Sequence, residues 1–103
     1  MYRIGLVCEN GASTGMVVRK MIAAAEKEGI EANIKAYPYS QLPDIIGEMN
    51  YVLFGPQLGF KLEEAKRDFP EAAKKINIIN VMDFGMMNGE KILKTTIDAI
   101  NNL

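Results

Sequence analysis

The sequence predicts a single α/β domain over residues 1–103, in which a parallel sheet carries helices on both faces. Three observations support this. Apolar runs of strand length alternate with stretches of helical period, and each intervening stretch is long enough for a right-handed crossover. At 103 residues the chain supports one core with little room for a second module. A composition of 49% hydrophobic and 24% charged residues is that of an ordinary globular domain without a disorder signature.

The elements follow in order. Tyr2 to Val7 is a short apolar strand that ends at Cys8. A loop of small residues comes next, and then a helix over Met16 to Glu28 that sets Val17, Val18, Met21, Ile22 and Ala25 on one face. Gly29 stops it. Ile30, Ala32, Ile34 and Ala36 alternate with Glu31, Asn33 and Lys35, the period-2 pattern of a half-exposed strand toward a sheet edge. A weaker helix fits Gln41 to Met49, and "YVLF" at Tyr51 to Phe54 reads as a buried strand. A third helix fits Phe60 to Asp68 before Pro70, and "INIINV" at Ile76 to Val81 reads as the fourth strand. The last helix starts near Asn88 and buries Ile92, Leu93, Thr96, Ile97 and Ile100. Ligands of such sheets bind beyond the carboxyl ends of the strands. The loops at Cys8, at Gly55-Pro56-Gln57 and at Met82-Asp83-Phe84-Gly85 should therefore share one rim.

Several function classes drop out. The net charge is -1 and no basic stripe stands out, which argues against nucleic acid as a partner. The chain has no histidine and one cysteine, which removes a Cys-His dyad, a phosphohistidine of its own and a zinc site. No metal or cofactor is called for. A lone cysteine makes no internal disulfide, and a reducing cytoplasm is its simplest home. No apolar stretch approaches the ~20 residues needed to cross a bilayer, so direct insertion is not expected and any membrane connection runs through a partner.

The one cysteine sits where chemistry is easiest to build. Cys8, Glu9, Asn10, Gly11, Ala12, Ser13, Thr14 and Gly15 run from a strand end into a helix start, so backbone N–H groups converge on one point that favours anions. Gly11 and Gly15 relax the backbone, Ser13 and Thr14 add hydroxyls, and Thr14 is also a candidate helix cap. A thiol at the centre of such a phosphate-binding-type loop is a phosphate-carrying nucleophile, and the same donors stabilise its thiolate. The plainer alternative makes Cys8 a small buried hydrophobe beside an ordinary turn. A Cys-dependent phosphatase of low molecular weight is the other chemical reading, but its C-x5-R-[ST] loop clamps the phosphoryl group with an arginine. Position 14 holds Thr.

With these residues in view, the chain resembles the enzyme IIB component of the bacterial sugar phosphotransferase system, in its lactose/cellobiose (chitobiose-type) branch. The matching stretches are "RIGLVCENGASTGMVVRKM", "YVLFGPQLGF" and "NVMDFGMMNGEKILKTTIDAI", which with the element order cover nearly the whole chain. The resemblance implies a four-stranded parallel sheet with helices on both sides. It implies further that Cys8 accepts a phosphoryl group from a histidine of enzyme IIA and passes it to a sugar, a β-linked disaccharide, held by the membrane transporter enzyme IIC. Gly11, Ala12, Ser13 and Thr14 match the family's small and hydroxyl positions, while Gly15 stands where a second serine is common. The missing histidine then lies on another protein. The missing loop arginine fits a carrier that holds phosphocysteine without hydrolysing it.

The remaining candidates line the rim. Pro56 shapes its loop, and Gln57 is placed to donate to the phosphate or to a docking partner. Asp83 is a cap or turn former before it is a general acid, and Phe84 is a packing lid or partner contact. Met86 and Met87 suit a docking patch that meets two partners in turn, whereas Met16 and Met21 are expected in or near the core. Arg19, Lys20, Lys61, Lys66 and Arg67 read as solvated faces. Glu9, next to the thiol, opposes the loop's attraction for negative charge if it leans toward the sulfur. A transient carrier of this kind works as a monomer.

Overall fold

The computed structural model describes residues 1–9 and 12–103, with residues 12 and 13 described by backbone alone. Four parallel strands, β1 (Tyr2–Cys8), β2 (Ala32–Pro38), β3 (Tyr51–Phe54) and β4 (Ile76–Ile78), form one sheet in the order β2-β1-β3-β4. Among the described residues five α-helices accompany them: α1 (Ala12–Glu28), α2 (Leu42–Ile45), α3 (Leu62–Asp68), α4 (Val81–Gly85) and α5 (Gly89–Asn101). Short 3-10 turns at Tyr39–Gln41, Pro56–Lys61 and Pro70–Lys75 complete the connections.

Strand burial follows position in the sheet. Every residue of β3, an inner strand, is buried, and so are the last five of β1. Edge strand β2 keeps Asn33 and Lys35 exposed and Ile34 buried, as its alternation predicts. Pro38 closes β2 on the edge, where its missing N–H costs no ladder bond toward a further strand. On one face α1 and α5 cover Ile4, Leu6, Ile34 and Leu53 with Val17, Met21, Ile92 and Leu93. On the other, α2, α3 and the 3-10 turns cover Val7, Val52, Phe54 and Ile76 with Leu42, Ile45, Leu58 and Ala65. The expected doubly covered parallel sheet is thus found.

Register and close approach bring the working ends together. Cys8 pairs with Pro38, Val7 with Phe54, and Phe54 with Ile78, so the carboxyl ends of all four strands lie on one edge. Gly29 ends α1 at a positive φ of 70°, as its sequence position suggests. Gly89 lets α5 cross α1 at contact: a Cβ there would stand 2.6 Å from Lys20 Cβ and 2.6 Å from Met21 N.

Several boundaries differ from expectation. α1 begins at Ala12, so Thr14 and Gly15 lie inside the helix and Thr14 is not its cap. Ile22 and Met16 are exposed, at 37% and 47%, although Val17, Val18, Met21 and Ala25 are buried as expected. The helix read over Gln41 to Met49 shrinks to the single turn of α2. The strand read to Val81 stops at Ile78, because the Asn80 side chain accepts from Met82 N (2.9 Å) and Asp83 N (3.1 Å) and caps α4. That local cap outcompetes strand continuation. Asn88 caps α5 likewise, accepting from Lys91 N at 3.2 Å.

Candidate functional site

Cys8 is the last residue of β1 and is 1% exposed. The strand delivers its thiol to the amino end of α1, where Thr14 Oγ1 donates to Cys8 Sγ at 3.6 Å. Thr14 is itself fully buried, so this hydroxyl belongs to the site and does not serve the surface. A buried hydroxyl aimed at a sulfur bonds its charged form and offsets part of what burial costs a thiolate. The first-turn N–H groups of a 17-residue helix lack intrahelical acceptors and point toward the same end. Glu9, at the bend after β1, is exposed. Asn10 and Gly11 lie outside the described residues, as do the side chains of Ala12 and Ser13, so their roles rest on the sequence reading.

The third strand supplies the second wall. Gly55 follows Phe54, is buried, and donates its N–H to Val7 O at 2.8 Å, which ties the loop to β1 one residue before the thiol. A Cβ on Gly55 would stand 3.7 Å from Cys8 Cβ, 3.6 Å from Thr14 Cγ2 and 2.7 Å from Gln57 Oε1. The Gln57 side chain is therefore folded back over Gly55, the residue that also faces Cys8 Cβ and Thr14 Cγ2. Pro56 opens the 3-10 turn that makes this fold-back possible. Gly55 was legible only as a loop residue, since its part here is the space it leaves.

The fourth strand contributes differently. β4 is two strand spacings from β1, on the order of 10 Å. Asp83 pairs with Lys91 of α5, Oδ1 to Nζ at 3.5 Å, and its backbone carbonyl accepts from Asn88 N at 2.8 Å. Phe84 packs on the core between the sheet and the α1/α5 layer. Both fix the short α4 helix, which leaves Val81, Met82 and Met86 67–71% exposed. Lys61, read as a solvated cation, instead lies 4.8 Å from the centre of the Tyr39 ring and 3.8 Å from Glu64 Oε2. Tyr39 meets Phe54 edge-on at 5.7 Å. Its phenol is raised above the ordinary 10.0, first by burial and then by Glu64 and Asp68. Among the described residues no helix is long and apolar enough to cross a membrane.

Comparison with known proteins gives this geometry a family. A family model described as "PTS system, Lactose/Cellobiose specific IIB subunit" matches residues 3–95. The chain is 29% identical, over 99% of each sequence, to the oligo-β-mannoside-specific EIIB component of Bacillus subtilis. It is 36% identical to the solution structure of a cellobiose-specific phosphotransferase IIB component from Borrelia burgdorferi, with a TM-score of 0.83 over 98% of this chain and 93% of that one. The lactose-specific IIB domain of Streptococcus pneumoniae shares the fold at a TM-score of 0.84 and 15% identity, over 95% of this chain and 96% of that one. The protein belongs to the lactose/cellobiose-specific IIB subunits of the phosphotransferase system and is a sugar-phosphotransfer component of that type.

Proposed function

We propose that the protein is a phosphocarrier that takes a phosphoryl group from a phosphohistidine of enzyme IIA onto Cys8 and gives it to a sugar bound by the membrane transporter enzyme IIC. The observation that carries this reading is the Cys8 thiol at a strand end, hydrogen-bonded by buried Thr14 at the start of α1. In the first step the Cys8 thiolate attacks phosphorus, the S–P bond forms as the N–P bond breaks, and the imidazole keeps the electron pair. In the second a sugar hydroxyl attacks, the O–P bond forms as S–P breaks, and the thiolate leaves. The hydroxyl proton goes to a base on the transporter. Glu9, Asn10, Gly11, Ala12, Ser13, Thr14 and Gly15 would surround the phosphate with backbone N–H and hydroxyl donors.

Thr14 occupies the place at which a Cys-dependent phosphatase carries its arginine, and a threonine supplies neither the charge nor the fork that would speed hydrolysis. Exposed apolar side chains stand on segments that follow the strands' carboxyl ends, Met16 in α1, Phe60 after β3 and Val81, Met82 and Met86 around α4, 47–77% exposed. Such side chains suit a face that docks partners. Pro56 shapes the loop after β3, while Asp83 and Phe84 hold α4 in place. The carrier acts as a monomer on the cytoplasmic side and meets the membrane only through enzyme IIC. A β-linked disaccharide is the expected sugar, in keeping with the oligo-β-mannoside, cellobiose and lactose of its relatives' names.

The test is sugar phosphorylation by membranes bearing a cognate enzyme IIC, supplied with the general phosphotransferase proteins and enzyme IIA. Wild type should support it and Cys8→Ser should not. Turnover of para-nitrophenyl phosphate that depends on Cys8 would favour the phosphatase reading instead.

A further inference from the structure

Gly55 stands in the wall of the thiol site, yet nothing in its backbone requires glycine. Its φ of -59° and ψ of 151° are open to any residue. What glycine supplies is space. A methyl group at this position would keep ordinary contact with Cys8 Cβ (3.7 Å) and Thr14 Cγ2 (3.6 Å) but would collide with Gln57 Oε1 at 2.7 Å. Only the far end of an exposed, flexible side chain is in the way. The missing side chain at 55 is therefore the seat on which the Gln57 carboxamide lies, and that seat adjoins the carbon bearing the thiol.

We infer that Gly55 is a positioning residue and that the Gln57 carboxamide it seats donates a hydrogen bond to the phosphoryl group in transit at Cys8. The inference rests on the carrier reading and deepens it. A phosphoryl group on Sγ lies beyond a Cβ that already approaches the seat. The amide of Gln57 offers two N–H donors with no charge. A neutral donor strengthens its bond as negative charge spreads over the phosphoryl oxygens, yet it lacks the positive charge with which an arginine would hold the group. This suits an intermediate that must be surrendered. Gln57 acts at the phosphoryl group; Gly55 acts through Gln57.

The Gly55→Ala variant isolates the effect, because backbone, thiol and Thr14 contacts all tolerate the methyl. Single-turnover transfer from phosphorylated enzyme IIA should be followed for wild type, Gly55→Ala, Gln57→Leu and the double variant. At saturating donor Gln57→Leu should be slower by roughly tenfold, the weight of one hydrogen bond to a charged group. Gly55→Ala should lose a comparable factor, and the double variant should be no slower than Gln57→Leu alone. The half-saturating donor concentration should stay at the wild-type value in all four. Wild-type rates in either single variant, or losses that multiply in the double, overturn the inference. Because Gln57 is exposed, Gln57→Leu decides the matter even if Gly55→Ala unfolds. Failure of wild type itself to take up a phosphoryl group would sink the carrier reading, whereas uptake that ignores Gln57 sinks only this inference.

Discussion

The thiol of Cys8 and the hydroxyl of Thr14, 3.6 Å apart and both shielded from water, are the smallest unit of the site. Thr14→Val keeps the shape and removes the donor. Alkylation of Cys8 by iodoacetamide at neutral pH should then slow by roughly tenfold, since a hydrogen bond to a charged group is lost. Unchanged alkylation would detach Thr14 from the chemistry. Glu9 is exposed, so its charge reaches the sulfur mostly through water. Glu9→Gln should therefore lengthen the life of the phosphocysteine by a small factor, about twofold, in dilute buffer, with a smaller difference at about 0.15 M salt. Equal lifetimes in dilute buffer would make Glu9 a solvated neighbour. The position of Cys8, at a strand end beside a helix start, was legible in the sequence, because strand, small-residue loop and helix follow one another there. The role of Gly55 was not, because it depends on an absent side chain meeting residues 14 and 57 across the sheet.

At the scale of elements, the site is only as firm as the contact between α1, which begins beside the thiol, and α5, which covers α1. That contact runs through Gly89, where a Cβ would press on Lys20 and on the Met21 backbone. Gly89→Ala should force the helices apart and lower stability by about 1–3 kcal/mol, read as a lower thermal midpoint. A midpoint within a degree of wild type would show that the crossing has slack. Long apolar periods made α1, α5 and the inner strands readable, because burial on one face imposes them. The 3-10 turns left no such signature. The end of β4 was misread because "INIINV" is uniformly apolar apart from asparagine, while the deciding interaction is a side-chain cap at Asn80. Propensity along the chain does not register a bond of that kind.

Several large exposed apolar side chains, Phe60, Val81, Met82 and Met86, stand in the segments that follow the carboxyl ends of β3 and β4, while Met1 and Leu103 are exposed at the chain ends. Met82 and Met86, 69% and 71% exposed, carry no evident load in the core, so replacing both with Glu should leave the thermal midpoint unchanged. The same double variant should slow both uptake from enzyme IIA and delivery to enzyme IIC, by roughly tenfold if the pair anchors docking. Full activity would move the docking face elsewhere. That the edge would be the working one could be foreseen, since parallel sheets present their ligands at the carboxyl ends of the strands. How the methionines would be displayed could not, because it depends on the short helix that Asn80 and Asp83 hold in place. The central claim, that Cys8 carries the phosphoryl group, is tested most directly by intact-mass measurement after incubation with phosphorylated enzyme IIA. Wild type should gain one phosphoryl group and Cys8→Ser none, with the same circular dichroism for both. A wild type that gains nothing, or a Cys8→Ser variant that gains as much, would contradict the account.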